Sequence, residues 1–364
     1  MTRREVFADV RGAEDEYHAA VLALDRLQAE SAHNVTVLAA ADVSLRDVVA
    51  CARNLERTYV IRVYASFEAA LRDYWQSPHG CRRSSEPAAG RLPMADTGLT
   101  HDAWLARVPE LVTSCCEEWA LMPGLAYPPG AAGHVIRVER SDGTPAVLKL
   151  IYPHRESEHE VDALALWKGD GAVRLLERSE DGFAILLERC EPGTVLAEEG
   201  QEVALDILIG LLPRLWKSAE GFATVEEGVP YLLQDLEQAR DQDLKNAALA
   251  YLRDLVPTQG ERVLVNEDLH GENVLAAERE PWLVIDPKPV AAERELGVAP
   301  IVRSFELGHS KRQVLYRLDR LCSDLELERE RALGWTVAHT VAWSGGSDYI
   351  ETDIETVRWL LESG

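Results

Sequence analysis

Asp268, Asn273 and Asp286 are the residues of this chain whose types and spacing suggest chemistry. The first two sit five residues apart in Val263-Leu-Val-Asn-Glu-Asp-Leu-His-Gly-Glu-Asn-Val-Leu-Ala276, and the third follows Trp282-Leu-Val-Ile285. Both Val263–Val265 and Trp282–Ile285 are short apolar runs of β-branched and aliphatic type, so they read as two strands with a charged loop between them. Two carboxylates and an amide brought together at strand ends offer hard oxygen atoms, which suit a divalent cation and a phosphate. A lone Asp–Asn spacing is common in loops; the longer string with its second strand is what lifts the signal above chance.

The order D-x-x-x-x-N, then D at a strand end, is the arrangement kinases use: one Asp takes the proton of the substrate hydroxyl, and the Asn and second Asp hold Mg²⁺ on the nucleotide phosphates. Asn266-Glu-Asp-Leu-His-Gly-Glu-Asn-Val-Leu275 with Ile285-Asp-Pro-Lys288 resembles the aminoglycoside phosphotransferase family. It is most similar to the streptomycin 6-phosphotransferase and hydroxyurea-resistance kinase branch, whose pattern runs H-G-D-L-H-x-x-N-V-L and I-D-P-K. Asn266-Glu267 stands where many members carry His-Gly. The resemblance implies Asp268 as catalytic base, Asn273 and Asp286 as metal ligands, and ATP and Mg²⁺ as cofactors. It also implies an α+β, protein-kinase-like two-lobed fold from about Trp104 to the end, behind an amino-terminal helical extension.

The elements that would carry these residues are legible upstream. Ala146-Val-Leu-Lys-Leu-Ile151 reads as a strand, preceded by a turn at Ser141-Asp-Gly-Thr-Pro145 and a strand at Val135–Val138. Lys149 inside that apolar run needs a partner or a water-facing end. The resemblance implies that it binds the α- and β-phosphates and pairs with a helix glutamate. Glu160, bordering the stripe Val161, Leu164 and Trp167, aligns best; Glu156 and Glu158 remain open. Gly130-Ala-Ala-Gly133 could lie over phosphates, or be a plain turn. Ala172–Leu176 and Phe183–Glu188 read as a strand pair about an Asp-Gly turn. Glu188-Arg-Cys-Glu-Pro-Gly193 then breaks the pattern where kinases have their hinge, and Glu188 and Cys190 are assigned to nucleotide binding there, through the backbone.

Beyond the hinge the spacing turns helical, over Val203–Leu215, over Tyr231–Leu255 in one or two helices, and over Gln313–Glu330, Ala332–Trp343 and Asp353–Leu361. Pro287-Lys-Pro289 stops the second strand. Lys288 could steer phosphate, hold the metal ligand, or be an exposed loop lysine. Asp348, Glu351, Asp353 and Glu355 are candidates to meet a cationic substrate, with no indication of which point inward.

The chain divides by composition into a helical domain over 1–76, a Pro-, Gly- and Arg-containing linker over 77–103, a nucleotide lobe over 104–190 and a mostly helical substrate lobe over 191–364. Helices are expected within 12–32, Ser44–Arg57 and Thr58–Trp75. This segment faintly resembles HEPN helical domains, with Arg72 and His79 at a spacing some of them use for RNA cleavage; a loop histidine is the simpler reading. Among 364 residues, 62 acids against 38 Lys and Arg leave a net charge of −24. Such a surface repels nucleic acid and attracts cations. No run of about 18 apolar residues indicates a membrane span, and no leader is visible. Six cysteines without C-x-x-C spacing read as reduced thiols of a cytoplasmic protein. The expected activity is transfer of the ATP γ-phosphoryl to a hydroxyl of a small cationic or polar molecule, an aminoglycoside-type antibiotic such as streptomycin, or hydroxyurea. The alternatives are a kinase of another small metabolite, or an RNA-processing or toxin-related protein carrying an inactive kinase domain.

Overall fold

A computed structural model describes residues 100–127, 133–344 and 350–363. The helices expected within 12–75, Arg72, His79, Gly130 and Asp348 lie outside the described residues. Those described fall into two compact units, residues 102–150 and Ile151 onward, the latter with Thr100 and His101. Along the chain the division between these units falls between Leu150 and Ile151.

The first unit holds α1 (His101–Glu118), β1 (Leu121–Ala126), β2 (Gly133–Arg140) and β3 (Pro145–Ile151). Helix α1 begins three residues before Trp104 and buries Trp104, Val108, Cys115 and Cys116. Strand β1 was not expected, because Pro123 and Gly124 are poor strand formers. It runs antiparallel to β2 with an irregularity between Pro123 and Ala126, where an edge strand tolerates a proline. In β3 every residue from Leu148 to Ile151 is buried, Lys149 included.

The second unit opens with α2 (Glu160–Trp167), β4 (Leu175–Arg178), β5 (Ala184–Glu188) and β6 (Pro192–Val195). β4 and β5 are antiparallel about a turn in which Asp181 accepts from Ser179 Oγ at 2.6 Å and from Phe183 N at 3.0 Å. Ala172 and Val173 fall outside that hairpin; Val173 N donates to Val284 O at 3.0 Å. Helices α3 (Gln201–Leu215), α4 (Val225–Glu237) and α5 (Gln242–Leu255) follow. Thr224 and Glu227 form a capping box at the start of α4, and Asp241 accepts from Asp243 N and Leu244 N at the start of α5.

Strands β7 (Arg262–Asn266), β8 (Val274–Ala277), β9 (Trp282–Val284) and β10 (Pro289–Glu293) carry the candidate site. The sequence suggested one strand–loop–strand unit; the chain builds two ladders instead. β7 pairs antiparallel with β10, Asn266 opposite Pro289, while β8 lies between β6 and β9. Val274 to Ala277, apolar enough for a strand of its own, takes β9 as its partner and leaves β7 for β10. Helices α6 (Ala299–Arg303), α7 (Lys311–Leu325), α8 (Arg329–Ser344) and α9 (Ile350–Leu361) complete the unit. Helix α8 is buried on all sides between Ala332 and Ala342 and packs on α4, α5, α6, α7 and α9, as a helix at the centre of a bundle must. Arg317 in α7, fully buried, donates to the carbonyls of Val302, Leu307 and Gly308. That fixes the segment leading out of α6. No helix among the described residues is long and apolar enough to cross a membrane.

Candidate active site

The loop after β7 is organised by Asn266. Its Oδ1 accepts from Asp268 N at 3.0 Å and from Lys288 N at 2.9 Å, while Glu267 N donates to Lys288 O at 2.9 Å. A buried side chain thus ties the loop of Asp268 to the loop after β9. Glu267 faces His339 of α8, 3.5 Å away.

Asn273 is held from both sides. Its Nδ2 donates to Asp268 O at 2.9 Å and lies 3.3 Å from Asp268 Oδ2, and its carbonyl accepts from Ile285 N at 2.9 Å. With Nδ2 committed to Asp268, the amide oxygen Oδ1 is left as a hard donor. The bond to Ile285 puts Asp286 next to it along the chain. Asp286 has φ +49°, a left-handed turn at the end of β9. The structure therefore joins the loop that carries Asp268 and Asn273 to the one that carries Asp286 by hydrogen bonds of Asn266 and Ile285. A carboxylate and an amide oxygen fit Mg²⁺, which is bound through one or two such side chains with phosphate and water completing its shell.

Cations surround Asp268. Lys288 Nζ stands 3.1 Å from Oδ2 and 3.3 Å from Glu156 Oε2. Arg303 lies 4.0 Å and His270 Nε2 3.8 Å from Oδ1. Lys288 and Arg303 each sit over the Trp343 ring, at 4.5 and 4.7 Å from its centre. Lys288 is thus no exposed loop lysine. Burial works against its charge, but the Asp268 and Glu156 carboxylates outweigh it and raise its pKa above the ordinary lysine value. Burial lowers the pKa of Arg303, against the pull of Asp268, Asp353, Glu267 and Glu306.

His270 is anchored by Glu306. One oxygen of Glu306 accepts from Ser304 Oγ at 2.5 Å and Gly271 N at 3.1 Å, and lies 3.0 Å from His270 Nδ1. Burial pushes the Glu306 carboxyl up, but His270 and Ser304 outweigh it and hold it at about 2. Burial likewise opposes the His270 charge, and Glu306 and Asp268 overcome it and raise its pKa. Arg303, Ser304 and Glu306 gave no sequence signal, because they reach the site only through the fold of the segment after α6.

The remaining sequence candidates are more dispersed. Lys149, 7% exposed, belongs to the first unit; Gly133 lies over its stem, where a Cβ would come 3.4 Å from Lys149 Cε and 3.0 Å from Leu150 O. Glu160, 2% exposed, opens α2 in the second unit. Glu156 lies in a turn before α2 and faces Lys288. The Glu188 side chain is committed to the scaffold: Arg279 pairs with it at 2.6 Å and Arg174 N donates to it at 2.7 Å. Only its main chain is left for a ligand, as the hinge reading requires, and its amide already donates to Arg174 O. Burial pushes the Cys190 thiol up to about 12. Of the carboxy-terminal acids, Asp353 is buried and acts on Arg303, while Glu355 is turned outward to His309 at 3.0 Å.

A family model described as aminoglycoside/hydroxyurea antibiotic resistance kinase matches residues 118–347. The chain is 38% identical over 251 residues to a streptomycin 6-kinase of Streptomyces griseus, covering 65% of this chain and 81% of that protein. It is 37% identical over 247 residues to a hydroxyurea phosphotransferase of Kitasatospora aureofaciens, covering 64% and 71%. In structure it is similar to the choline kinase LicA from Streptococcus pneumoniae, with a TM-score of 0.51 and 11% identity over 70% of this chain and 98% of that one. The fold is thus α+β and protein-kinase-like, as the resemblance implied.

Proposed function

Because the chain belongs to the aminoglycoside/hydroxyurea antibiotic resistance kinase family, we propose that it transfers the γ-phosphoryl of ATP to a hydroxyl of a small antibiotic. Streptomycin-like aminoglycosides and hydroxyurea are the first acceptors to test, since relatives that act on them are 37–38% identical to it. The observation that supports the reading is the joint held by Asn266 and Asn273, which ties the loop of Asp268 and Asn273 to the loop that carries Asp286.

In this reading Asp268 accepts the hydroxyl proton. Its Oδ2 is occupied by Lys288 and Asn273, whereas the nearest cations to Oδ1 stand at 3.8 and 4.0 Å, so Oδ1 is the accepting atom. Asn273 Oδ1 and Asp286 would hold Mg²⁺, which when bound neutralises charge on the β- and γ-phosphates. Lys149 would bind phosphate with Glu160 as its partner, and the main chain at Glu188 and Cys190 would meet the adenine. The division into lobes at Cys190 and a cytoplasmic location belong to the same proposal. Rate enhancement would come from positioning and charge neutralisation, with no covalent enzyme intermediate. The net charge of −24 supports a cationic acceptor. The RNA-processing alternative has no support from the comparisons, and Arg72 and His79 lie outside the matched residues.

The test is ADP release by the purified chain with Mg²⁺ and ATP against streptomycin, other aminoglycosides and hydroxyurea. Acceptor-dependent turnover that disappears in Asp268→Ala, with nucleotide binding retained, is expected. No stimulation by any acceptor would refute the substrate class, and wild-type turnover in the variant would refute Asp268 as the base.

A further inference from the structure

The segment from Asp268 to Asn273, Asp-Leu-His-Gly-Glu-Asn, contains no lysine or arginine. A phosphoryl group in flight carries negative charge on its equatorial oxygens. Apart from His270, which Glu306 holds at Nδ1, a side-chain cation near the attacking oxygen comes from elsewhere in the fold. Two reach Asp268, Lys288 and Arg303, and they are held differently. Arg303 is 11% exposed at its side chain and approaches no closer than 4.0 Å to Oδ1. Lys288 is 21% exposed at its side chain and comes within 3.1 Å of Oδ2.

The main chain of Lys288 is fixed relative to Asp268 more firmly than sequence distance would suggest. Its N–H and the N–H of Asp268 share one acceptor, Asn266 Oδ1, and its carbonyl accepts from Glu267 N. The side chain then lies along the Trp343 face toward the base. An ammonium has three N–H donors. Among the described residues two meet carboxylates, of Asp268 and Glu156, which leaves one. A hydroxyl bonded to Asp268 sits about 2.7 Å from its oxygen, and the phosphorus it attacks lies about 3–3.5 Å further on. An ammonium in contact with that same carboxylate is within a small side-chain adjustment of the phosphoryl oxygens.

We propose that Lys288 is a catalytic residue: it hydrogen-bonds an oxygen of the phosphoryl group during transfer while keeping Asp268 aligned. This rests on the phosphotransferase reading above. In the step, the acceptor oxygen forms a bond to the γ-phosphorus and the bond to the β–γ bridging oxygen breaks. ADP leaves with the electron pair, and the acceptor proton goes to Asp268. Lys288 keeps its proton throughout, with its ammonium 3.1 Å from Asp268 Oδ2 and 3.3 Å from Glu156 Oε2.

The experiment measures acceptor-independent Mg²⁺–ATP hydrolysis and acceptor-dependent transfer for wild type, Lys288→Met, Lys288→Arg, Asp268→Asn and the double variant Asp268→Asn/Lys288→Met. Mg²⁺–ADP affinity is measured by calorimetry alongside. Lys288→Gln replaces Lys288→Met if the latter does not fold. Loss of one charge-stabilising donor is expected to lower the rate about 100-fold. The fall should appear in hydrolysis and in the Asp268→Asn background, with ADP affinity unchanged within about threefold and Lys288→Arg regaining at least about a tenth of the wild-type rate. A Lys288→Met rate within about threefold of wild type would overturn the proposal. No further loss in the Asp268→Asn background would also overturn it, since Lys288 would then act only through the base. A parallel loss of ADP affinity would do the same, making it a support for Asp286. If no acceptor stimulates wild type, the proposed substrate class fails while hydrolysis still decides Lys288.

Discussion

Replacing Glu306 by Gln tests the support beneath the candidate base without touching the base itself. The substitution keeps the shape and an acceptor oxygen but removes the charge that His270, Gly271 N and Ser304 share. The Glu306 carboxyl is held at about 2, against an ordinary 4.5. At about 1.4 kcal/mol per tenfold, the charged form is favoured in the folded protein by roughly 3 kcal/mol. Its side chain is 12% exposed, so solvent screening takes little from that figure. Because the folded value is depressed, the contribution is full above the unfolded value of 4.5 and fades as pH falls toward about 2. His270, raised above 6.5, contributes in the opposite sense: fully below 6.5, and less as pH rises through its folded value. The pair is therefore strongest between about pH 5 and 6.5. Urea unfolding should show Glu306→Gln less stable than wild type by about 3 kcal/mol at pH 6, with the gap smaller by about 1 kcal/mol at pH 4. A gap at pH 6 below about 1 kcal/mol, or one that does not narrow at pH 4, would refute the ion-pair account.

Three further substitutions probe the joint between the two loops. Asp286→Ala should weaken Mg²⁺–ADP binding at least about tenfold by titration, since it removes the only charged candidate ligand of the proposed cation; unchanged affinity would exclude that role. Asn266→Ala leaves Asp268 N and Lys288 N without their shared acceptor and should lower stability by about 2–4 kcal/mol in urea unfolding. Part of that loss is offset because the Asn266 Nδ2 is itself buried without a partner. Gly271→Ala puts a Cβ 3.1 Å from Ala197 N and Cα, main-chain atoms that cannot swing aside. It should cost about 1–3 kcal/mol and slow turnover by displacing the Asp268 loop; wild-type melting and rate would show that the loop gives way instead.

How much of this was legible beforehand depends on the range of the interaction. Strand β3 and the helices α3 to α5 and α7 to α9 follow from local apolar spacing, but their ends do so less well: α4 starts at Val225 behind the Thr224 cap, ahead of the expected Tyr231, and α7 stops at the left-handed Glu326, short of the expected Glu330. β1 was missed because Pro123 and Gly124 argue locally against a strand and only pairing with β2 makes one. The helix before Trp167 looked longer from its acids than it is: Glu156 belongs to a separate turn, and its partner, Lys288, is distant in sequence.

By itself the sequence determined which atoms are available: Asp268, Asn273 and Asp286 with their spacing, Lys149 inside an apolar strand, and an acidic surface. Those are properties of residue type and short-range order, which the chain carries whether folded or not. Tertiary structure alone decided that β7 pairs with β10 rather than with β9, that Asn266 joins the two loops, and that Lys288, Arg303 and the Glu306–His270 pair converge on one carboxylate. The physical reason is that a buried charge or amide must find its partner wherever packing brings one, and packing on the buried helix α8 brings together segments that no local rule connects.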